Sequence, residues 1–353
     1  MSSEEHFERA ALDAEAKKLQ RTIATLRGER RSLKGEVKSL EDQLEEATQI
    51  RDIALGITAD DAKPLPDISI NYDQGEATVV ALLSDVHVGA RVTLAETNGL
   101  NEFNETICIA RLKRWAEALA WTIDMWRSRF QVEDLLLGCI GDMLEGMIHE
   151  ELKSHNTMTP LEEVQFWVDV FVPIFRWLLN ETGLERVLLY QCDGNHGRMT
   201  RKLHAAGRAN WSLTHLAYYA IRRALADDTR VRCIVSTGHR DYIKVYRWTF
   251  RFEHGDSIRY GGGVGGLAIP FNKYVYRLNQ TKYADHTCVG HFHDLQRIGS
   301  NIVNGTVKGY DAFSAKLGFP YQPPQQWCGL VHHKRGLEID KKLVLDEDMR
   351  RAA

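Results

Sequence analysis

No run of about 18 apolar residues occurs anywhere in this chain, which excludes a transmembrane helix. Met1 to Ala10 is too acidic and polar for a signal peptide. The six cysteines are widely spaced and form no C-x-x-C, so neither a disulfide scaffold nor a Cys-rich zinc site is expected. Several sit in apolar runs, as reduced, buried thiols of a cytosolic protein do. Charge of one sign is also lacking. A net charge of −3 is unlike a dedicated nucleic-acid binder, so any basic groove must be local. At 353 residues, 44% apolar and 26% charged, the chain reads as a soluble globular protein of one large or two medium domains.

The first fifty residues are different material. Leu12, Leu19, Leu26, Leu33 and Leu40 recur every seven residues, with Ala16, Ile23, Arg30, Val37 and Leu44 between them. Leucine at d and β-branched Ile23 and Val37 at a are the preference of parallel two-stranded coils. Arg30 at an a position weakens the seam but fixes register. Glu29 and Lys34 are placed to pair across two chains, whereas Glu36 and Glu41 repel. Gly28 and Gly35 fall at f, facing solvent, each costing roughly 1 kcal/mol relative to alanine. Residues 12–47 therefore predict a homodimer stalk; folding back on the chain's own domain, or pairing with another protein's helix, remains open. The expected organisation is a coiled-coil helix at 1–55, a linker at 56–76 broken by Pro64 and Pro66, a catalytic domain at 77–345 and a polar tail at 346–353.

Beyond the linker, five short polar clusters each follow an apolar run that reads as a buried strand. They are Asp85-Val86-His87, Gly141-Asp142, Gly194-Asn195-His196, His254-Gly255-Asp256 and Gly290-His291-Phe292-His293. The preceding runs are Val79–Leu83, Leu135–Ile140, Val187–Tyr190, Phe250 with Phe252, and Thr287–Val289. Ligands collect at the carboxyl ends of strands in open α/β sheets, so five such ends point to one site. Thr106 to Phe130 and Leu161 to Leu179 read as amphipathic helices between strands, with Trp115, Trp121, Trp126, Phe166, Trp167, Phe171 and Trp177 expected in the core.

Asp, His and Asn without thiolate suit Mn²⁺, Fe or Zn²⁺ better than Ca²⁺. The set is too large for one catalytic ion. Two ions about 3.5–4 Å apart clamp the attacking and leaving oxygens of a phosphoryl displacement, and Asp142, the lone acid of its cluster, is the candidate bridge.

The ordered series D-x-H, G-D, G-N-H, H and G-H-x-H resembles the calcineurin-like metallophosphoesterase superfamily over roughly Ala77 to Ile339. More narrowly, Asn304-Gly305-Thr306-Val307-Lys308-Gly309-Tyr310-Asp311 followed by Pro323-Pro324-Gln325-Gln326 is similar to the closing part of phage- and prophage-type phosphoesterases, often described as DNA-repair exonucleases. The resemblance implies an α/β fold, a four-layer αββα sandwich, here preceded by the coiled-coil helix. It implies Asp85, His87 and His293 on a first metal, Asn195, His254 and His291 on a second, and Asp142 between them. Mn²⁺ is the expected ion, with Fe or Zn²⁺ open. His196 becomes the general acid, and a hydroxide held between the metals the nucleophile. Two departures stand out. Gly197 and Arg198 follow Gly-Asn-His where an orienting acid is usual, and Gly-Asp-Met-Leu-Glu-Gly lacks the Asp-Arg-Gly of Ser/Thr protein phosphatases.

For substrate, Gly194 to Ala226 contains no acid but carries Arg198, Arg201, Lys202, Arg208, Arg222 and Arg223. Arg198, Arg201 and Lys202 are the candidate phosphate contacts. The expectation is a phosphodiesterase or nuclease acting on DNA, cytoplasmic, in the host cytoplasm if phage-encoded, with any ATPase partner unidentified. Alternatives are a small-molecule phosphomonoesterase, a cyclic-nucleotide phosphodiesterase, or a coiled-coil scaffold on a vestigial fold. The glycine-rich loop Tyr260–Gly266 reads as a mobile lid or a plain connection, and His149 and His155 as residues of the site mouth or of a surface loop.

Overall fold

The computed structural model describes residues 3–56, 75–148, 152, 155–260 and 265–346. The linker from 57 to 74, the tail from 347, His149 and Gly261 to Val264 lie outside them. The chain divides into two compact units, Met1–Asn71 and Tyr72–Ala353.

In the first unit, Ser3–Gly56 forms one helix of 54 residues (α1), roughly 80 Å long at 1.5 Å per residue. The seam side chains Leu19, Ile23, Leu26, Leu33, Val37, Leu40 and Leu44 are all exposed. Those of Leu12 and Ala16 lie outside the described part of the helix. Among the described residues no helix is long and apolar enough to cross a membrane.

The second unit is built on two sheets. Its strands and helices run β1 (Glu76–Leu83), α2 (Glu105–Arg127), β2 (Gln131–Ile140), α3 (Pro160–Thr182), β3 (Arg186–Cys192), α4 (Leu213–Ala224) and β4 (Val231–Val235). There follow β5 (Asp241–Val245), β6 (Trp248–Phe252), α5 (Ala268–Thr281), β7 (His286–Val289), β8 (Gln296–Ile298), β9 (Asn301–Val303), α6 (Ala312–Leu317), β10 (Gln325–His332) and β11 (Gly336–Val344). One sheet is ordered β11-β10-β1-β2-β3-β4, the other β5-β6-β7-β9-β8. β1 to β4 run parallel, as do β6, β7 and β9, so their carboxyl ends fall on one edge of each sheet.

Period-two alternation distributes the apolar side chains. From β1, Val79, Ala81 and Leu83 face a core shared with α2, α3 and α4, where Trp115, Leu119, Trp167 and Phe171 are buried. Val80 and Leu82 face the opposite way, against Phe250, Phe252, Cys288 and Ile302 of the second sheet. α5 covers that sheet's far side through Phe271 and Val275. The layers are therefore helix, sheet, sheet, helix: the αββα sandwich that the motif series implies. Both long helices start where their caps dictate, Asn104 accepting from Ile107 N–H and Thr159 forming a capping box with Glu162 ahead of Pro160.

Two of the expected core tryptophans are misplaced. Trp115 and Trp126 are buried, but Trp121 lies on the solvent face of α2 under the Lys341 ammonium, 4.0 Å from its ring centre. Trp177 is likewise exposed on α3, and Phe166 is half-buried. The helices were legible from composition; which arc of each faces the sheet depends on packing. All six cysteines are free thiols, five of them buried.

Candidate metal centre

Each polar cluster sits in the loop immediately after a strand. Beyond β1 and β2 the two chains continue side by side: Val86 N–H and His87 N–H both donate to the Asp142 carbonyl at 2.9 and 3.1 Å, and Val88 N–H to Met143 at 2.9 Å. This extension carries Asp85, His87 and Asp142 in fixed register. The loop after β3 joins them, because His196 N–H donates to Asp142 Oδ1 at 2.8 Å. Gly194 makes that approach possible, since a Cβ there would sit 1.9 Å from Asp142 Oδ1. From the second sheet, His254 donates through Nδ1 to the Ile140 carbonyl at 2.9 Å, and His291 N–H donates to the Asp85 carboxylate at 3.0 Å.

Three trios of donor atoms result among the described residues: Asp85, His87 and His293; Asp142, His254 and His291; and, sharing His87 with the first, His87, Glu145 and His196. In the first, His87 Nε2 and His293 Nε2 face each other at 3.0 Å and His293 Nε2 lies 3.4 Å from Asp85 Oδ1. In the second, His254 Nε2 lies 2.9 Å from Asp142 Oδ2 and 3.1 Å from Asn195 Oδ1. Each trio is one carboxylate with two imidazoles, and Asn195 Oδ1 lies beside the second.

Backbone strain marks the same residues. Among the described residues, seven other than glycine have φ near +50 to +70°: Asp85, His87, Asn98, Asp142, Tyr246, His291 and His293. Five of those seven belong to the first two trios. Left-handed backbone costs such residues about 1–3 kcal/mol each and persists only where the surroundings impose it, commonly at functional sites.

Electrostatics agree. Asp85, His87, Asp142 and His254 are at most 2% exposed. Burial, with the Lys308 ammonium nearby, lowers His87 to about 4. Burial and the neighbouring His254 lower His291 to about 4, so both rings are neutral and able to ligate. Burial opposes ionisation of Asp142, but His254 and His196 hold it well below the usual carboxylate range. Against the same burial, Asp142 and Asp85 draw positive charge onto His254 and raise it. The carboxylates thus favour a positive charge at this point, and the donor chemistry fits a pair of divalent transition ions.

His196 stands apart from the first two trios, edge-on to His87 with ring centres 4.7 Å apart. Its Nδ1 donates to the Glu145 carbonyl at 2.8 Å. The Glu145 carboxylate contacts His87 Nδ1 and lies 3.7 Å from His196 Nδ1 and 3.8 Å from Lys308 Nζ. Lys308 in turn pairs with Asp311 at 2.8 Å. Sequence reasoning missed Glu145, although it stands in the Gly-Asp-Met-Leu-Glu-Gly motif, and missed the work of the Asn304–Asp311 segment. Asn304 donates to Ser84 Oγ and Gln326 Oε1, and Gln326 bonds the Ser84 main chain, which anchors the residue before Asp85.

The basic segment is more committed than its charge suggests. Arg198 donates to the Asn195 carbonyl at 2.6 Å, and Arg208 to Asp256 at 3.0 Å and to the Gly194 carbonyl. Both brace the loop after β3. Arg201 and Lys202 are exposed, as is His155.

No protein-family model matches the chain, and no curated protein matches it. Among solved structures it is similar to Vps29 from Cryptosporidium parvum, at 13% identity over 76% of this chain and 97% of that one, with a TM-score of 0.32. A predicted phosphoesterase from Streptococcus pneumoniae aligns at 10% identity over 75% and 97%, with a TM-score of 0.26. A hypothetical protein from Pyrococcus horikoshii aligns at 11% over 77% and 89%, with a TM-score of 0.36. Likenesses at these scores carry no weight for the chemistry, which rests on the residues themselves.

One buried acid near the site generates a pH prediction. Glu163 accepts from Gly146 N–H at 2.9 Å, and burial, with Glu145 adding to it, pushes its carboxyl up to about 8 from 4.5. Folded protein then keeps a proton that the unfolded chain has released, so stability falls as pH rises from about 4.5 to about 8 and levels off above. Glu163→Gln removes this slope. Urea denaturation between pH 5 and 9 should show the variant gaining on the parent by on the order of 1 kcal/mol per pH unit inside the window; parallel stability curves would contradict the assignment.

Proposed function

We propose that the protein is a dinuclear metal-dependent phosphoesterase of the calcineurin-like kind, and that phosphodiesters of DNA are its substrate. One observation carries the chemical part: two adjoining trios, each an aspartate with two histidines, beside a fifth histidine that belongs to neither. Asp85, His87 and His293 would hold one ion, Asn195, His254 and His291 the other, with Asp142 shared. Bound there, two divalent ions, Mn²⁺ by preference, supply Lewis-acid polarisation of the phosphoryl group and a lowered pKa for water.

The remaining work falls to the chain itself. A proton of the attacking water passes to solvent as its oxygen bonds to phosphorus and the ester P–O bond breaks, and the departing oxygen takes a proton from His196 Nε2, which solvent restores. The Glu145 carbonyl keeps Nδ1 protonated before and after, so the transferred proton is the one on Nε2. Such general acid catalysis contributes typically 10²–10⁴-fold. His87 Nδ1 on Glu145 and His254 Nδ1 on the Ile140 carbonyl leave each ring's Nε2 for the ion.

DNA as substrate is favoured by Arg201 and Lys202, exposed on the segment that follows His196. A small phosphate ester, including a cyclic nucleotide, is the second reading, and a specific observation favours it: Arg208 is paired with Asp256, which leaves less free charge for a polyanion. The exposed seam of α1 supports a parallel homodimer, since an apolar stripe of this length gains by burial against a second copy.

Two experiments follow. With Mn²⁺, single-stranded DNA, duplex DNA, cyclic nucleotides and bis-p-nitrophenyl phosphate are compared side by side, and DNA should be cleaved. DNA binding should weaken with salt by about 0.9 log units per phosphate contact per decade on duplex, and replacing Arg201 and Lys202 by alanine should flatten that slope by roughly one to two units. Ready turnover of small esters with all DNA intact would transfer the assignment to the second reading. Deleting residues 1–55 should halve the particle mass seen by light scattering, corrected for the deletion; an unchanged subunit number would refute the stalk.

A further inference from the structure

We propose that the loop after β3 and the outer face of α4 together bind single-stranded DNA, with Trp211 and Tyr219 as stacking platforms for its bases. The proposal rests on the reading of the adjoining centre as a phosphoesterase of DNA, and it names the strandedness of the substrate.

Local structure ties this surface to the centre. Gly197, the residue after His196, accepts from Leu213 N–H through its carbonyl at 2.8 Å. Met199 N–H donates to the Trp211 carbonyl at 2.8 Å, and Arg198 and Ser212 lie opposite each other as an antiparallel bridge. Ser212 Oγ donates in turn to the buried Asp193 carboxylate at 2.8 Å. A Cβ on Gly197 would sit 1.9 Å from Thr214 Oγ1, so no side chain separates the start of α4 from the loop of His196. Trp211 therefore belongs to a short paired stretch that begins one residue beyond His196.

The main chain of Trp211 is fixed by these bonds, yet its ring is 53% exposed. His204 stands edge-on to it, with ring centres 6.5 Å apart. Tyr219 on α4 is 43% exposed, and the Arg222 guanidinium lies 5.9 Å from its ring centre. Met199 and Leu216 are exposed on the same segment. Apolar side chains gathered in this way at a surface mark an interaction site.

Charge identifies the occupant. Between Gly194 and Ala226 the sequence has no acid, whereas Arg201, Lys202, Arg222 and Arg223 are exposed among the rings. Asp256, from the loop after β6, is already paired with Arg208 at 3.0 Å. The surface thus offers cations for phosphates and flat rings for apolar faces. Duplex DNA supplies the phosphates but keeps its base faces stacked on one another. A single strand supplies both, and base–aromatic stacking beside a basic track is how such strands are held.

The test measures binding by fluorescence anisotropy in EDTA, so that nothing is cleaved, for the full-length parent, Trp211→Ala, Trp211→Phe and Tyr219→Ala. The probes are a labelled oligothymidylate, an abasic strand of the same length and a duplex of that length. The parent should bind oligothymidylate most tightly. Trp211→Ala should weaken that binding by at least about fivefold while the abasic strand and the duplex bind as they do to the parent. Trp211→Phe, which keeps a ring, should recover most of the loss, and Tyr219→Ala should lose in the same selective way. The salt slope of Trp211→Ala should match the parent, since an indole releases no counterions. Equal losses on all three probes, or none on oligothymidylate, would overturn the proposal; so would a parent that binds no DNA, which would leave the surface to a protein partner. Hydrolysis of bis-p-nitrophenyl phosphate with Mn²⁺ is followed in parallel on the parent. Selective binding without hydrolysis would sink the phosphoesterase reading and keep the stacking surface, and hydrolysis without strand binding would do the reverse.

Discussion

Asp142 ties three loops together through three of its atoms. Its carbonyl accepts from Val86 and His87, its Oδ1 from His196 N–H, and its Oδ2 faces His254 Nε2 at 2.9 Å. Strand ends from both sheets therefore converge on one buried carboxylate. A negative charge buried this deeply is costly unless positive groups surround it. The imidazoles, the left-handed backbone that aims them and the apolar sandwich that holds the strand ends still are the conditions under which that carboxylate is tolerated.

The fold absorbs the cost by making the surrounding structure rigid. Five residues of the trios hold left-handed backbone, at about 1–3 kcal/mol each, and such strain survives only if neighbouring bonds leave no alternative. The Ser84–Asn304–Gln326 network, the pairing of Val88 with Glu145 and the brace from Arg208 to Gly194 supply those bonds from elements distant in sequence. A centre assembled in this way is preorganised, which is what transition-state stabilisation by fixed charges requires.

Much of this was legible in the sequence, and the reason is local. A strand-like apolar run ending in Asp, Asn or His places a donor at a sheet edge whatever the rest of the chain does. The five strand ends could therefore be read before the structure, whereas the division of their donors into two sets came from the resemblance that the motif series carries. What could not be read depends on contacts between distant segments. Glu145 looked like one acid in a loop, because His87, Lys308 and His196 reach it only in three dimensions. Arg208 looked like free charge, since composition does not reveal that Asp256 pairs its guanidinium. Trp121 and Trp177 lie on helices that were recognised, on arcs that packing against the sheet left to solvent.

The central claim is that the seven residues form one centre for two ions that share Asp142. Elemental analysis of the Mn²⁺-reconstituted full-length protein, set beside Asp142→Asn, tests it most directly. The account gives two ions per chain in the parent and at most one, weakly held, in the variant, with the fold preserved by circular dichroism. One ion per chain in the parent, or two in both proteins, would contradict it.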